Sequence, residues 1–177
     1  MSINIVDKFV IVLGQTFDNI GIIIADLNSI GKTELNAGMV DVLKKYILSH
    51  DKKYLINTFT ENSYKYWTDI KNKNEESLTK NIDKIFGNYI NRPEFNSIKL
   101  IFSSHIDEES KSYIWICLSS LVKLCIENVF LERGTNVTRS KNDQGKIVLK
   151  IQYKNKDLYQ DIKLLEHIKL WELTLLD

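Results

Sequence analysis

At 177 residues and a net charge of +1, the chain is long enough for one domain whose core needs neither disulfides nor metal. Its 44% hydrophobic and 27% charged residues are ordinary for a soluble globular protein, and acids and bases alternate along it, which disfavours a dedicated nucleic-acid binder. Only Arg92, Arg133 and Arg139 among the 24 bases are arginine, leaving few bidentate anchors for phosphate.

Val6, Phe9, Val10, Leu13, Phe17 and Ile20 fall at helical spacing. Gly14 and the β-branched run Ile22-Ile23-Ile24 leave residues 1–32 open between helix and strand. Residues 33–133 read as a helical core. Thr33 is placed to cap a helix with the stripe Met39, Val42, Leu43, Tyr46 and Ile47. Ser49-His50-Asp51 breaks it, and Asp51 is placed to cap the next helix, with Tyr54, Leu55, Thr58 and Phe59 as its apolar face. Asn62-Ser63 restarts a short helix through Tyr64, Trp67 and Ile70. Beyond a polar connector over 71–76, Leu78, Ile82, Ile85, Phe86 and Tyr89 mark another helix. Pro93 marks a turn, and Phe95, Ile98, Leu100, Ile101 and Phe102 a further helix.

The stretch 107–133 says most about the fold. It opens with acids, is apolar on nearly every face and closes on Arg133-Gly134, which predicts one long helix buried at the centre of the domain. After it, residues 135–153 read as a β-hairpin turning at Asp143-Gln144-Gly145, with Ile147, Leu149, Ile151 and Tyr153 alternating against mostly polar residues. A C-terminal helix from about residue 157 carries Leu158, Ile162, Leu165, Ile168 and Trp171. The expected fold class is therefore mainly α: a single domain over 1–177, with the hairpin and final helix occupying 134–177.

Two runs approach membrane-spanning length. The run 9–24 is interrupted by Gln15, Thr16, Asp18 and Asn19, and the run 114–131 carries Lys123 and Glu127, so no membrane span is expected. Cys117 and Cys125 lie about 12 Å apart on one helix, too far for a disulfide. They read as core thiols of a reducing compartment, so an intracellular, cytoplasmic location is expected.

Ile30-Gly31-Lys32-Thr33 looks like the end of a phosphate-binding P-loop, but that pattern needs glycine where this chain has Asp26, and a carboxylate there repels phosphate. Gly31 as a turn and Thr33 as a cap explain the motif. His50, His105 and His167 lack ligand-spaced partners, and the cysteines lack a CxxC pattern, so no metal, cofactor or catalytic residue is expected. The acids at 75–76 and 107–109 fit helix starts, where they oppose the macrodipole.

Ser49-His50-Asp51, Phe59 with Ser63 and Trp67, Ile85-Phe86, Ile114-Trp115, Ser120-Leu121-Val122-Lys123 and Glu132-Arg133 together give residues 41–134 a recognisable pattern. In it the chain resembles a mostly helical family of uncharacterised proteins of giant nucleocytoplasmic large DNA viruses. The resemblance covers about half the chain. It implies a viral origin, with host cytoplasm or the virion as location, and brings no catalytic residues.

The expected function is a non-enzymatic structural or protein-interaction protein of a virion or viral factory, bound to other proteins or to itself. The candidate contacts are Tyr64, Tyr66 and Trp67, with Trp171, Leu175 and Leu176 at the C-terminal end. One alternative is a nucleic-acid-associated factor using Lys65, Lys71, Lys73 and Lys80 with Tyr66, and another is an enzyme of unrecognised type.

Overall fold

A computed structural model describes residues 4–31, 36–86, 106–132, 136–141, 143–145, 147–152 and 168. Helix α1 spans Ile5–Ser29, so the open choice at the N-terminal end resolves to helix, β-branched run included. Phe9, Leu13, Phe17, Ile20, Ile23, Ile24 and Leu27 are buried. Burial of the adjacent Ile23 and Ile24 with Ile22 exposed fits a period of 3.6 and excludes the two-residue alternation of a half-buried strand. Tertiary burial thus outweighs the modest helix penalty of β-branched side chains. Asn4 caps the start by accepting from the Asp7 amide at 2.8 Å. At the other end Gly31 takes φ +68° just past the helix, a left-handed conformation in which a side chain would be strained.

Helix α2 spans Ala37–Leu48, and its N-cap is Asn36, whose side chain accepts from the Gly38 amide at 2.9 Å. The cap expected at Thr33 lies outside the described residues. Helix α3 spans Lys52–Ser63, opened by Asp51 accepting from the Tyr54 amide at 2.9 Å, as its position suggests. Its buried face is Leu55, Ile56, Phe59, Thr60 and Ser63, rotated from the sequence expectation: Tyr54 lies outside it and stacks on His50. A 3₁₀ turn over Tyr64–Tyr66 leads into the short helix α4, Trp67–Lys71. Helix α5 spans Glu75–Phe86 and buries Leu78, Ile82, Ile85 and Phe86, four members of the stripe read from sequence; the fifth, Tyr89, lies outside the described residues. The helix expected around 95–102 and the turn at Pro93 lie outside the described residues.

Helix α6 spans Glu108–Glu132. Asp107 caps it, accepting from the Ser110 amide and hydroxyl, each at 2.8 Å. It buries Ile114, Trp115, Leu118, Leu121, Val122, Cys125, Ile126, Asn128 and Val129, a stripe at alternating three- and four-residue spacing with few departures. The helix is therefore long and central but not buried all round, because Tyr113, Ile116 and Leu131 remain exposed. After it, β1 (Asn136–Lys141) pairs antiparallel with β2 (Ile147–Gln152), in a register that sets Asn136 opposite Gln152. Of the C-terminal helix expected from about residue 157, only Ile168, which is helical and fully buried, lies among the described residues.

The molecule is mainly helical. Helix α1 packs on α6, α2 and α3, while α3 also meets α5 and α6. The ion pairs between helices lie near the surface: Lys44–Asp18 at 2.6 Å joins α2 to α1, Lys52–Asp7 at 2.7 Å joins α3 to α1, Lys53–Glu132 at 3.2 Å joins α3 to α6, and Lys111–Glu75 at 3.2 Å joins α6 to α5. Exposed pairs of this kind contribute about 0–1 kcal/mol each, so the apolar core and not these bridges holds the helices together.

Candidate functional site

The aromatic segment singled out in the sequence does not form one surface. Trp67 is 0% exposed, and its indole Nε1 donates to Ser63 Oγ at 2.9 Å. Its expected role as a partner contact is corrected to that of a core anchor, because one 3₁₀ turn carries the chain from the end of α3 back onto the core. Tyr64 and Tyr66 are half-buried and pack against that core. Lys65 lies 5.7 Å from the Tyr64 ring, and Lys80 pairs with Glu76 at 2.5 Å. Trp171, Leu175, Leu176, His105 and His167 lie outside the described residues. The P-loop look-alike begins at the end of α1 and not after a strand, so the supporting architecture of that motif is missing at Ile30-Gly31.

The structure instead forms a cleft from opposite parts of the chain. Helices α1 and α6 run antiparallel: Asn19 Nδ2 lies 3.4 Å from Cys117 Sγ, while Asp26, one end of α1, sits beside Asp107 and Ser110 at the start of α6. Between them opens a space of about 430 Å³, lined among the described residues by Asn19, Ile22, Ile23, Asp26, Asp107, Glu109, Ser110 and Tyr113. That volume falls in the roughly 300–1,000 Å³ range of ligand clefts. Ile22 is 59% exposed and Tyr113 53% exposed at this opening; Ile116, one helical turn beyond Tyr113, is 58% exposed. The Asp107 carboxyl is held below its ordinary value, first by the backbone hydrogen bond from Ser110 and then by the Ser110 hydroxyl, so it stays charged.

A second groove of about 400 Å³ lies on the opposite flank of Ile22, between α1 and α2, lined by residues that include Phe17, Gly21, Ala25, Val40 and Lys44. Its acids are matched: Asp18 by Lys44 at 2.6 Å and Asp41 by Lys45 at 2.8 Å. Sequence reading missed the α1–α6 cleft. The available signal was the surplus of apolar residues in 107–133 beyond what one buried stripe requires, since such a surplus must leave some of them facing outward.

The expectation of no membrane span is overturned. Helices α1 and α6, 25 residues each, are long and apolar enough to cross a membrane, with 44% and 56% of their most apolar windows buried inside the protein. Such a helix is about 37 Å long against a hydrocarbon core of about 30 Å. Three of the four polar residues that interrupt the first run have partners within the protein, Asp18 pairing with Lys44 at 2.6 Å. Thr16 Oγ1 donates to the Val12 carbonyl at 2.8 Å, and Asn19 meets Cys117.

A polar seam crosses the core between α3 and α6. Asn128 Nδ2 donates to Asn57 Oδ1 at 3.3 Å, and Thr60, whose hydroxyl donates to the Ile56 carbonyl at 2.7 Å, also contacts Cys125. Burial pushes the Cys125 thiol up to about 12, the Thr60 hydrogen bond offsetting this only in part. Because the thiolate is the nucleophile, Cys125 should resist alkylation by iodoacetamide at pH 8 in the native protein and react fully once urea unfolds it. Rapid native labelling of Cys125, read by peptide mass spectrometry, would contradict this packing. Among the described residues no three His, Cys, Asp or Glu side chains are grouped so as to hold a metal ion.

Compared with protein families, curated proteins and solved structures, the chain matches none of them.

Proposed function

We propose that this chain is a non-enzymatic protein-interaction module that docks a partner on the face shared by α1 and α6. One observation carries the reading: Ile22, Tyr113 and Ile116 are each more than half exposed on adjoining helices beside a cleft. Scattered exposed apolar residues need no explanation, whereas a grouped set beside a concavity is the usual mark of a contact surface. The resemblance of residues 41–134 to giant-virus proteins supports an intracellular assembly role in a virion or viral factory. In this reading the hairpin and the C-terminal helix complete a single domain with the helices.

The test is a photoreactive amino acid placed at Ile116 in the protein expressed in its native source, with Lys84 on α5 as the control position. A protein adduct at 116, absent at 84 and surviving nuclease, is the expected result. Adducts lost on nuclease treatment would move the nucleic-acid reading to first place, and no adduct at 116 would remove this face as the contact surface.

The length and apolar character of α1 and α6 favour a second reading, insertion of this helix pair into a membrane. Against it, each helix turns a broad face into the core, and exposed Lys123 and Glu127 stand mid-helix in α6. Retention in the membrane pellet after alkaline carbonate washing would establish the second reading over the first.

A further inference from the structure

We propose that the α1–α6 cleft recognises a basic, apolar-anchored segment of a partner protein, with a lysine or arginine head among Asp26, Asp107 and Glu109 and an apolar neighbour against Ile22 and Tyr113. This rests on the interaction reading and specifies the chemistry of the partner.

Charge carries the argument. Three carboxylates line the cleft, and its described lining contains no base. The described segments that flank these acids on the two helices add little: residues 9–31 contain no lysine or arginine, and residues 107–122 contain only Lys111. Lys111 is already engaged, 3.2 Å from Glu75 and 3.3 Å from Glu108. The helix ends do not neutralise the acids either. The amide end of α6 offers about half a positive charge, and the carbonyl end of α1 beside it about half a negative one, so the two nearly cancel. Asp26 is moreover an acid near the carbonyl end of its own helix, where a base is the favourable residue, and α1 has no base in its last turn. Each Asp107 oxygen accepts one hydrogen bond from Ser110, and a carboxylate oxygen can accept more than one.

The walls select the rest of the ligand. Ile22, Ile23 and Tyr113 are apolar, and the aliphatic stem of lysine or arginine lies along such surfaces while its head reaches polar groups. An aromatic ring beside the acids adds the kind of surface to which cations bind. The neighbouring α1–α2 groove makes the contrast: similar in size, it has its acids paired with Lys44 and Lys45 and so offers no net charge to read. An anionic lipid surface is repelled by the same three carboxylates that attract a basic segment.

The test is isothermal titration of the full chain with a short amphipathic leucine–lysine peptide and with its leucine–glutamate counterpart. The lysine peptide should bind at least about tenfold more tightly than the glutamate peptide, and the double variant Asp26→Asn, Glu109→Gln should lose about tenfold of that affinity. Binding should weaken as salt rises. Glu76→Gln, an acid outside the cleft, should leave binding unchanged. Both cleft acids are exposed, so circular dichroism should show native helix content in the double variant; Tyr113→Ala supplies an independent loss of affinity.

Equal weakening by Glu76→Gln, or no weakening by the double variant, would overturn the proposal as nonspecific charge attraction. So would flotation of the protein with phosphatidylcholine vesicles that is abolished by Ile22→Ser, or self-association abolished by the double variant, which would assign the face to lipid or to a second copy. Absence of peptide binding alongside an intact crosslink at 116 would reject the basic-segment chemistry and leave the interaction module standing. Absence of both would reject both.

Discussion

Replacing Phe59 with alanine should lower the unfolding free energy by about 3–5 kcal/mol, the range for an aromatic ring removed from a filled core. The Phe59 ring centroid lies 5.5 Å from that of Phe9 and 5.7 Å from that of Phe86, which lies 5.8 Å from Phe17. These four rings join α1, α3 and α5 in one continuous contact. Each tilted pair adds about 0.5–1.5 kcal/mol beyond the area it buries, so truncating the central ring removes two pair terms together with the packing volume. Phe59→Leu refills most of the space and should cost markedly less. Urea unfolding measures both, and an alanine variant with the wild-type midpoint would mean that the ring chain does not join the helices.

Trp67→Ala should destabilise by a similar amount, about 3–5 kcal/mol, because the indole is fully buried and its removal leaves a large void. Trp67→Phe separates packing from hydrogen bonding. It keeps most of the volume but leaves Ser63 Oγ, buried, without its indole donor, and should cost about 1–3 kcal/mol. Since Trp67 is a core residue, Trp67→Phe should not alter crosslinking of a partner at Ile116. Loss of that crosslink in a variant with native helix content would return Trp67 to a contact role.

What was legible in the sequence was local. Asp51 caps a helix where its position suggests, because an N-cap needs only an acceptor and the next turn of amides, and Asp107 stands at the start of α6, where an acid was expected. The α5 stripe is equally readable, as its apolar residues are few and evenly spaced among polar ones. The rotated face of α3 was not: Tyr54 and Leu55 are both apolar, and only the positions of α1, α5 and α6 determine which of them turns inward. Trp67 posed the same problem, since an aromatic flanked by tyrosines and lysines reads alike whether it faces inward or outward. The candidate cleft was the least readable feature, because Asp26 and Glu109 come together only when α1 and α6 pack antiparallel.

The sequence by itself determined that the chain is mainly helical and where α3, α5 and α6 begin, since periodicity and capping act over a few residues. Tertiary structure alone decided that Ile22-Ile23-Ile24 is helical, that Asp18 and Asn19 of α1 meet Lys44 and Cys117, and that Ile22, Tyr113 and Ile116 stay outside the core. The physical reason is common to all three. Burial is a property of what packs against a residue, and those neighbours come from distant parts of the chain.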